Sequence, residues 1–250
     1  MFTLLPSFTD IMNTSITGMQ TRFAGLDVVS NNLANINTTA YKSSRSNFQE
    51  ILDATTKLEK GTILQSTQHN MKEGTFVESD SPLHLAIQGT GFFAVTMPDK
   101  AKTYTRDGTF SLDANRQIVT DKGYPLVWSG QIPNTAEKVE IDENGLVTVL
   151  QNGTWTNVGQ IQLNKFPNPG GLIATGNNLF TASAASGVVQ TANPGANNLG
   201  RILPRMKEVS NVNLSLEMTN AIINQRNFQL QLRTFQTTDT MLSQAIALRR

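Results

Sequence analysis

Residues 213–248, NLSLEMTNAIINQRNFQLQLRTFQTTDTMLSQAIAL, decide the fold, because their apolar side chains return at helical spacing along the whole stretch. Leu214, Ala221, Phe228, Phe235 and Leu242 fall every seventh residue, and Met218, Leu232 and Ile246 stand four residues after three of them. A heptad-like seam of this kind predicts a long helix that packs on another helix. Gln225 and Asp239 interrupt the second row, while Leu216, Ile223 and Leu230 add a stripe on a neighbouring face. So wide an apolar surface predicts more than one packing partner. Asn213 is placed to cap the helix and Glu217 sits in its first turn, while Arg249 and Arg250 complement the far pole.

The other end of the chain has the same texture. Pro6-Ser7 and Asp10 signal a helix start, and a helix is predicted from about Phe8 to Asn35. Met12, Ile16, Met19, Phe23, Leu26 and Leu33 recur along it at spacings of four and three, broken at Ser30 where Val29 lies alongside. Both helices are poor in charge. Residues 1–41 hold Asp10, Arg22 and Asp27, and residues 209–248 hold Glu217, Arg226, Arg233 and Asp239. The remaining polar positions are Asn, Thr, Ser and Gln, which can be buried without the desolvation cost of a charge. These faces are therefore expected to touch neighbouring subunits.

Between the helices the pattern changes to β. Leu85–Ile87, Phe92–Val95, Ile118–Val119 and Leu146–Leu150 are short apolar runs separated by the turn formers Asp107-Gly108, Asn144-Gly145 and Asn152-Gly153. The last two bracket one strand, which reads as a β-meander. The expected fold is α+β, a discontinuous, coiled-coil-like domain of N- and C-terminal helices with an inserted, mainly β domain. Its parts are residues 1–42 (helix and exit), 43–84 (extended connector), 85–190 (β-rich domain), 191–208 (return connector) and 209–250 (C-terminal helix packing with the first).

Composition narrows the function. Twenty basic residues against nineteen acidic give a net charge of +1 with no dense basic stripe, which argues against nucleic acid as a partner. No apolar run is long enough to span a bilayer, so no membrane insertion is expected, and the start lacks the basic and apolar regions of a secretory signal. The absence of cysteine rules out disulfides, thiolate metal sites and Cys nucleophiles. His69 and His84 lie in no metal-ligand spacing, and Asp142-Glu-Asn-Gly145 lacks the other ligands of a calcium loop and reads as a hairpin turn. Gly89-Thr-Gly91 runs on into a strand, which fits a tight turn or bulge better than a dinucleotide fingerprint. No G-x-S-x-G elbow is present. Neither a cofactor nor a catalytic site is expected, and the chain reads as a non-enzymatic structural subunit.

The first helix leaves through Ser30-Asn-Asn-Leu-Ala-Asn-Ile-Asn-Thr-Thr-Ala-Tyr-Lys42, whose Asn side chains can cap a helix end and bond backbone across an interface. Asn31, Asn32, Leu33, Ala34, Asn35, Tyr41 and Lys42 in this run resemble the N-terminal signature of the bacterial flagellar basal-body rod and hook axial protein family. Ser210, Asn211, Val212, Asn213, Glu217, Asn220, Gln225 and Arg226 resemble its C-terminal signature. Leu85–Phe93 and Tyr104–Phe110 look like the family's β-region blocks, and Thr237–Leu242 with the overall length looks most like the distal rod type. The connector between Lys42 and Leu85 is shorter than that type usually carries, which keeps a proximal rod or hook-type subunit as the alternative. Ala40 stands where the family commonly has Gly, and Ala tolerates positive φ poorly.

The resemblance implies a subunit exported through the flagellar type III apparatus and polymerised, with itself and other axial proteins of rod and hook, into an envelope-spanning shaft that transmits motor torque. The terminal helices would then stay disordered in the monomer and fold on assembly. A reading from another class is a secreted carbohydrate-binding β protein whose ends pack as an intramolecular hairpin.

Overall fold

The computed structural model describes residues 8–52 and 59–248. Pro6 and Ser7, read as part of the helix-start signal, and the basic pair Arg249 and Arg250 lie outside them. The described chain is α+β, with a helix near each end and a middle made mainly of strands. It divides into two compact units. One comprises Met1–Ala34, Ser44–Asn70 and Val212–Arg250, and the other Asn35–Ser43 and Met71–Asn211. We call them the helical unit and the β unit.

The helical unit contains helix α1 (Phe8–Ala34), helix α2 (Leu214–Ala247) and an antiparallel pair, β1 (Ser44–Leu52) and β2 (Glu59–His69). Asn213 caps α2, its side chain accepting from the Leu216 amide at 3.1 Å, as its place before the apolar run suggests. The β1–β2 register runs from Ser44 opposite His69 to Leu52 opposite Glu59, with irregularities after Asn47 and after Glu50. Thr21 Oγ1 on α1 donates to the Thr62 carbonyl of β2 at 2.6 Å, and the Arg22 guanidinium lies 5.8 Å from the centre of the Phe48 ring on β1. The pair lies inside the stretch expected as an extended connector. Its sequence, SRSNFQEIL and EKGTILQSTQH, does not alternate apolar with polar residues, so it carries no strand period to read.

In the β unit the strands 138–141, 146–151 and 154–160 form the expected meander, extended by 129–130. Asn152 and Gly153 both take positive φ, 49° and 80°, which is the geometry of a two-residue hairpin turn. The Asp142–Gly145 turn closes through the Gly145 amide and the Asp142 carbonyl at 2.8 Å. A second four-stranded sheet places 173–176, 179–181, 102–105 and 93–96 side by side.

Two apolar clusters hold this unit together. One gathers Leu85, Ile87, Phe93, Val95, Phe110, Ile118, Val147 and Ile161 among others, with the Phe93 and Phe110 rings edge to face at 5.2 Å. The other gathers Phe92, Tyr104, Phe166 and Phe180. Each such side chain contributes roughly 1.5–3 kcal/mol on full burial. Short strands beyond the expected limits join in: 76–78 pairs with 206–208, and 85–88 with 201–204. Runs of three or four residues are too short to show a period.

Candidate assembly faces and buried signature clusters

In the helical unit α1 and α2 meet along a row of small and polar residues. The Asn32 side-chain amide donates to Glu217 Oε1 at 3.0 Å. One heptad earlier in α1, a Cβ on Gly25 would sit 3.3–3.4 Å from all three amide atoms of Asn224, and a heptad before that, one on Gly18 would sit 3.0–3.3 Å from those of Gln231. Near-equal distances mean that each amide lies flat on its glycine. The partners step down α2 by seven as the glycines step up α1, so the helices run antiparallel in a single register. The buried residues of α1 are Ser15, Thr21, Gly25, Val29 and Asn32, and those of α2 are Glu217 and Thr238.

Asn32 does more than bridge the helices. Its Oδ1 accepts the Ser44 amide and its Nδ2 donates to the Ser44 carbonyl, both at 2.8 Å, so the side chain mimics a strand partner at the start of β1. With Glu217 as third partner, a fully buried amide is satisfied.

The apolar rows read from the sequence flank this polar row in two different ways. Met12, Met19 and Leu26 on α1, and Ala221, Phe228, Phe235 and Leu242 on α2, are half-buried. Ile16, Phe23 and Leu33, and Leu214, Met218, Leu232 and Ile246, are exposed, with Phe23 at 60% and Ile246 at 62%. Of the remaining signature positions here, Asn31, Ala34, Gln225 and Arg226 are exposed, while Val212 and Asn220 are half-buried.

The β unit holds the rest of both signatures around one buried carboxylate. Lys42 Nζ donates to Glu208 Oε1 at 2.5 Å and to the Lys72 carbonyl at 2.8 Å, and both side chains of the ion pair are 1% exposed. Glu208 Oε1 also accepts the Gly74 amide at 2.9 Å. Arg106 Nε stands 3.8 Å from Glu208 Oε2, and Arg106 Nη1 donates to the carbonyls of Gly89 and Gly91 at 2.8 and 3.0 Å, clamping the Gly89-Thr-Gly91 turn. Burial lowers the pKa of Lys42, and the Glu208 charge opposes that shift. Arg106 is likewise pushed below the usual guanidinium range by burial, against Glu208 and Glu73.

Asn211 completes the knot. It accepts the Ser43 amide at 2.7 Å, donates from Nδ2 to the Lys72 carbonyl at 2.8 Å, and gives its backbone amide to the Tyr41 carbonyl at 3.3 Å. Ser210 beside it is buried. The Ala40 amide donates to the Glu208 carbonyl at 2.8 Å with Ala40 at φ 54°, the left-handed conformation that Gly adopts freely. Asn35 opens the same segment as a turn, accepting from the Thr38 amide and hydroxyl, each at 3.1 Å.

The N-terminal signature therefore supplies one side of two buried polar contacts, Asn32 with Glu217 of the C-terminal signature and Lys42 with Glu208 just ahead of it. Family models match in the corresponding places: "Flagella basal body rod protein" over residues 12–42, "Flagellar hook protein FlgE/F/G D1 domain" over 86–149, and "Flagellar basal body rod FlgEFG protein C-terminal" over 204–248. The chain is 32% identical to the flagellar basal-body rod protein FlgG of Borreliella burgdorferi, over 95% of this chain and 97% of that one. It is 36% identical to FlgG of Caulobacter vibrioides, over 95% and 98%. The chain belongs to the flagellar basal-body rod family.

Identity to the flagellar hook protein FlgE of Helicobacter mustelae is also 36%, but it spans 51% of this chain and 32% of that one. The full-length match favours the rod over the hook, and the chain is a structural subunit of the flagellar rod, of the distal type, in the basal body. Among the described residues no helix is long and apolar enough to cross a membrane.

Sequence reasoning did not find Arg106, Glu208 or the Gly18, Gly25, Asn224 and Gln231 contacts. The signals were faint. Arg106 is the one basic residue of the Tyr104–Phe110 block, and Gly18, Gly25 and Asn32 are spaced by seven, as are Glu217, Asn224 and Gln231. His69 and His84 each share a hydrogen bond with a serine hydroxyl, Ser44 at 3.2 Å and Ser79 at 2.6 Å.

Proposed function

We propose that this rod subunit polymerises through the outward apolar rows of its terminal helices, forming with other copies and other axial proteins the shaft that carries motor torque to hook and filament. The observation that carries this reading is the division of the apolar residues. The two helices meet along a polar row, which leaves Ile16, Phe23, Leu33, Met218, Leu232 and Ile246 exposed on helices with almost no charge. A water-facing helix ordinarily carries charges there, and a run of exposed large apolar residues marks an interaction surface. Covering each by a neighbour contributes roughly 1.5–3 kcal/mol.

In this reading the terminal helices form a discontinuous, coiled-coil-like domain into which the β domain is inserted, and the close-packed helices give the shaft its stiffness. The subunit travels through the type III export apparatus unfolded, and its helices gain their full order when neighbours cover the outer rows. Replacing Phe23 and Ile246 by Ser tests this. Both side chains are exposed, so monomer stability should change by no more than about 0.5 kcal/mol per site. Rod assembly and swimming in a complemented null strain should be lost. Normal rods from a stably folded double variant would refute the reading.

A further inference from the structure

We infer that the polar row between α1 and α2 is a register code: its amide rungs fix which heptad of one helix faces which heptad of the other, and keep the apolar rows from collapsing on each other within one chain. The inference rests on the assembly reading above and names the residues that make it work. Three rungs carry it, Gly18 with Gln231, Gly25 with Asn224, and Asn32 with Glu217.

Apolar residues alone set the register weakly here. Ala221, Phe228, Phe235 and Leu242 repeat every seven residues, and α1 presents Met12, Met19 and Leu26 at the same interval, so sliding one helix by a heptad again sets large apolar side chains opposite each other. The polar row does not survive that slide. Moving α2 by seven residues in one direction brings Asn224 to Asn32, where two amides compete for the place beside Ser44. Moving it in the other direction presses the Glu217 carboxylate against Gly25, where no donor replaces Asn32. The glycines leave room for the amides to lie in the seam: a methyl group at Gly18 would sit 3.0 Å from the Gln231 amide carbon, and the amide would have to give way.

The amides also limit how strongly the hairpin closes. The side-chain amides of Asn224 and Gln231 make no hydrogen bond among the described residues and are half-buried, so they fill the seam without the gain of apolar burial. A leucine at either place would bury apolar surface inside the monomer and make competing registers equally acceptable. A single polar residue in an otherwise apolar heptad row has this effect in coiled coils, specifying register at a cost in stability.

The cysteine-free chain makes the test direct. Cysteines at Gly18 and Gln231 report the native register, and cysteines at Gly18 and Asn224 report a slide of one heptad. In dilute full-length monomer under mild oxidation, the first pair should cross-link at least tenfold faster than the second. Placing leucine at the remaining amide rung, together with Glu217→Leu, should bring the two rates within about threefold. An unchanged ratio would overturn the inference.

As a second measurement free of cysteine, the Asn224→Leu, Gln231→Leu variant should melt its helical circular-dichroism signal at a higher temperature yet form fewer rods. Full rod yield from that variant would also overturn it. Since cross-linking is read in monomer, a failed register code is distinguishable from a failed assembly reading, which the Phe23 and Ile246 variant tests separately.

Discussion

Exchanging Glu208 for Gln removes one charge from the β unit and almost no volume. Gln keeps an acceptor for the Gly74 amide and for Lys42, so the effect isolates the ion pair. In the parent chain the carboxylate faces Lys42 at 2.5 Å and Arg106 at 3.8 Å, with the lysine and glutamate side chains each 1% exposed. Breaking a buried pair from one side costs about 3–5 kcal/mol, because the partner charge is left in a poor solvent. An upper limit comes from the lysine itself. Entering the fold neutral at pH 7, against an ordinary pKa of 10.5, costs about 5 kcal/mol at roughly 1.4 kcal/mol per unit. The expected loss is therefore about 4 kcal/mol, or a melting point lower by about 10 °C for a unit of this size.

Urea unfolding followed by tryptophan fluorescence reads it, since Trp128 and Trp155 are the two tryptophans and both lie in the β unit. The pH dependence supplies a second check. Lys42 has a folded pKa below its unfolded one, so the unfolded chain binds more protons and stability rises with pH toward about 10.5. Glu208 opposes that shift in the parent, so the rise should be steeper in Glu208→Gln, approaching about 1.4 kcal/mol per pH unit. Adding Lys42→Met removes the nearer of the two stranded cations, leaving Arg106, and should recover part of the loss. A single-variant loss under about 1 kcal/mol, or a double variant no better than the single, would refute the reasoning.

Asn213→Ala removes the α2 cap and should destabilise the helix by about 1 kcal/mol, visible as a lower melting point of the helical circular-dichroism signal with the tryptophan transition unmoved. Ala40→Val puts a β-branched residue at φ 54° and should cost the β unit about 2 kcal/mol or more in urea, whereas Ala40→Gly should fall within about 1 kcal/mol of the parent. Burial raises the Asp107 pKa above 3.8, so the folded chain holds that proton more tightly, and stability falls as pH climbs from 3.8 through the raised value. Asp107→Asn keeps an acceptor for Thr109 and should flatten that part of the stability curve, measured by urea titration between pH 3 and about 7.

The long elements were legible because their signal is repeated many times. Twenty-seven residues of α1 and thirty-four of α2 return to the same face turn after turn, and the Asn-Gly turns of the meander each demand backbone that few other pairs adopt. Ala40 was legible only through the family resemblance, which has Gly at its place, and the structure gives it φ 54°. The β1–β2 pair was not legible, because SRSNFQEIL and EKGTILQSTQH carry no regular alternation of apolar and polar residues. Asn32 and Glu217 could be named but not paired, being 185 positions apart, and for Lys42 the partner Glu208, 166 positions on, was not singled out, so only the folded chain shows that each pair meets.

The two units distribute polarity in opposite senses. The β unit follows the ordinary rule, with leucine, isoleucine, valine and phenylalanine enclosed and its one buried charge cluster paired. The helical unit places glycine, asparagine, glutamine and glutamate in the contact between its helices and leaves Ile16, Phe23, Met218 and Ile246 exposed. Such an arrangement gains little from the hydrophobic effect while the chain is alone. It becomes favourable when the outer rows are covered, which is what the proposed assembly supplies. Weak internal closure and strong external pairing then have one cause, the choice of amides over leucines at two positions of α2. On the proposed assembly the low charge of both helices has the same origin: the rows exposed in one subunit would be covered by its neighbours, where a charge would be costly to bury.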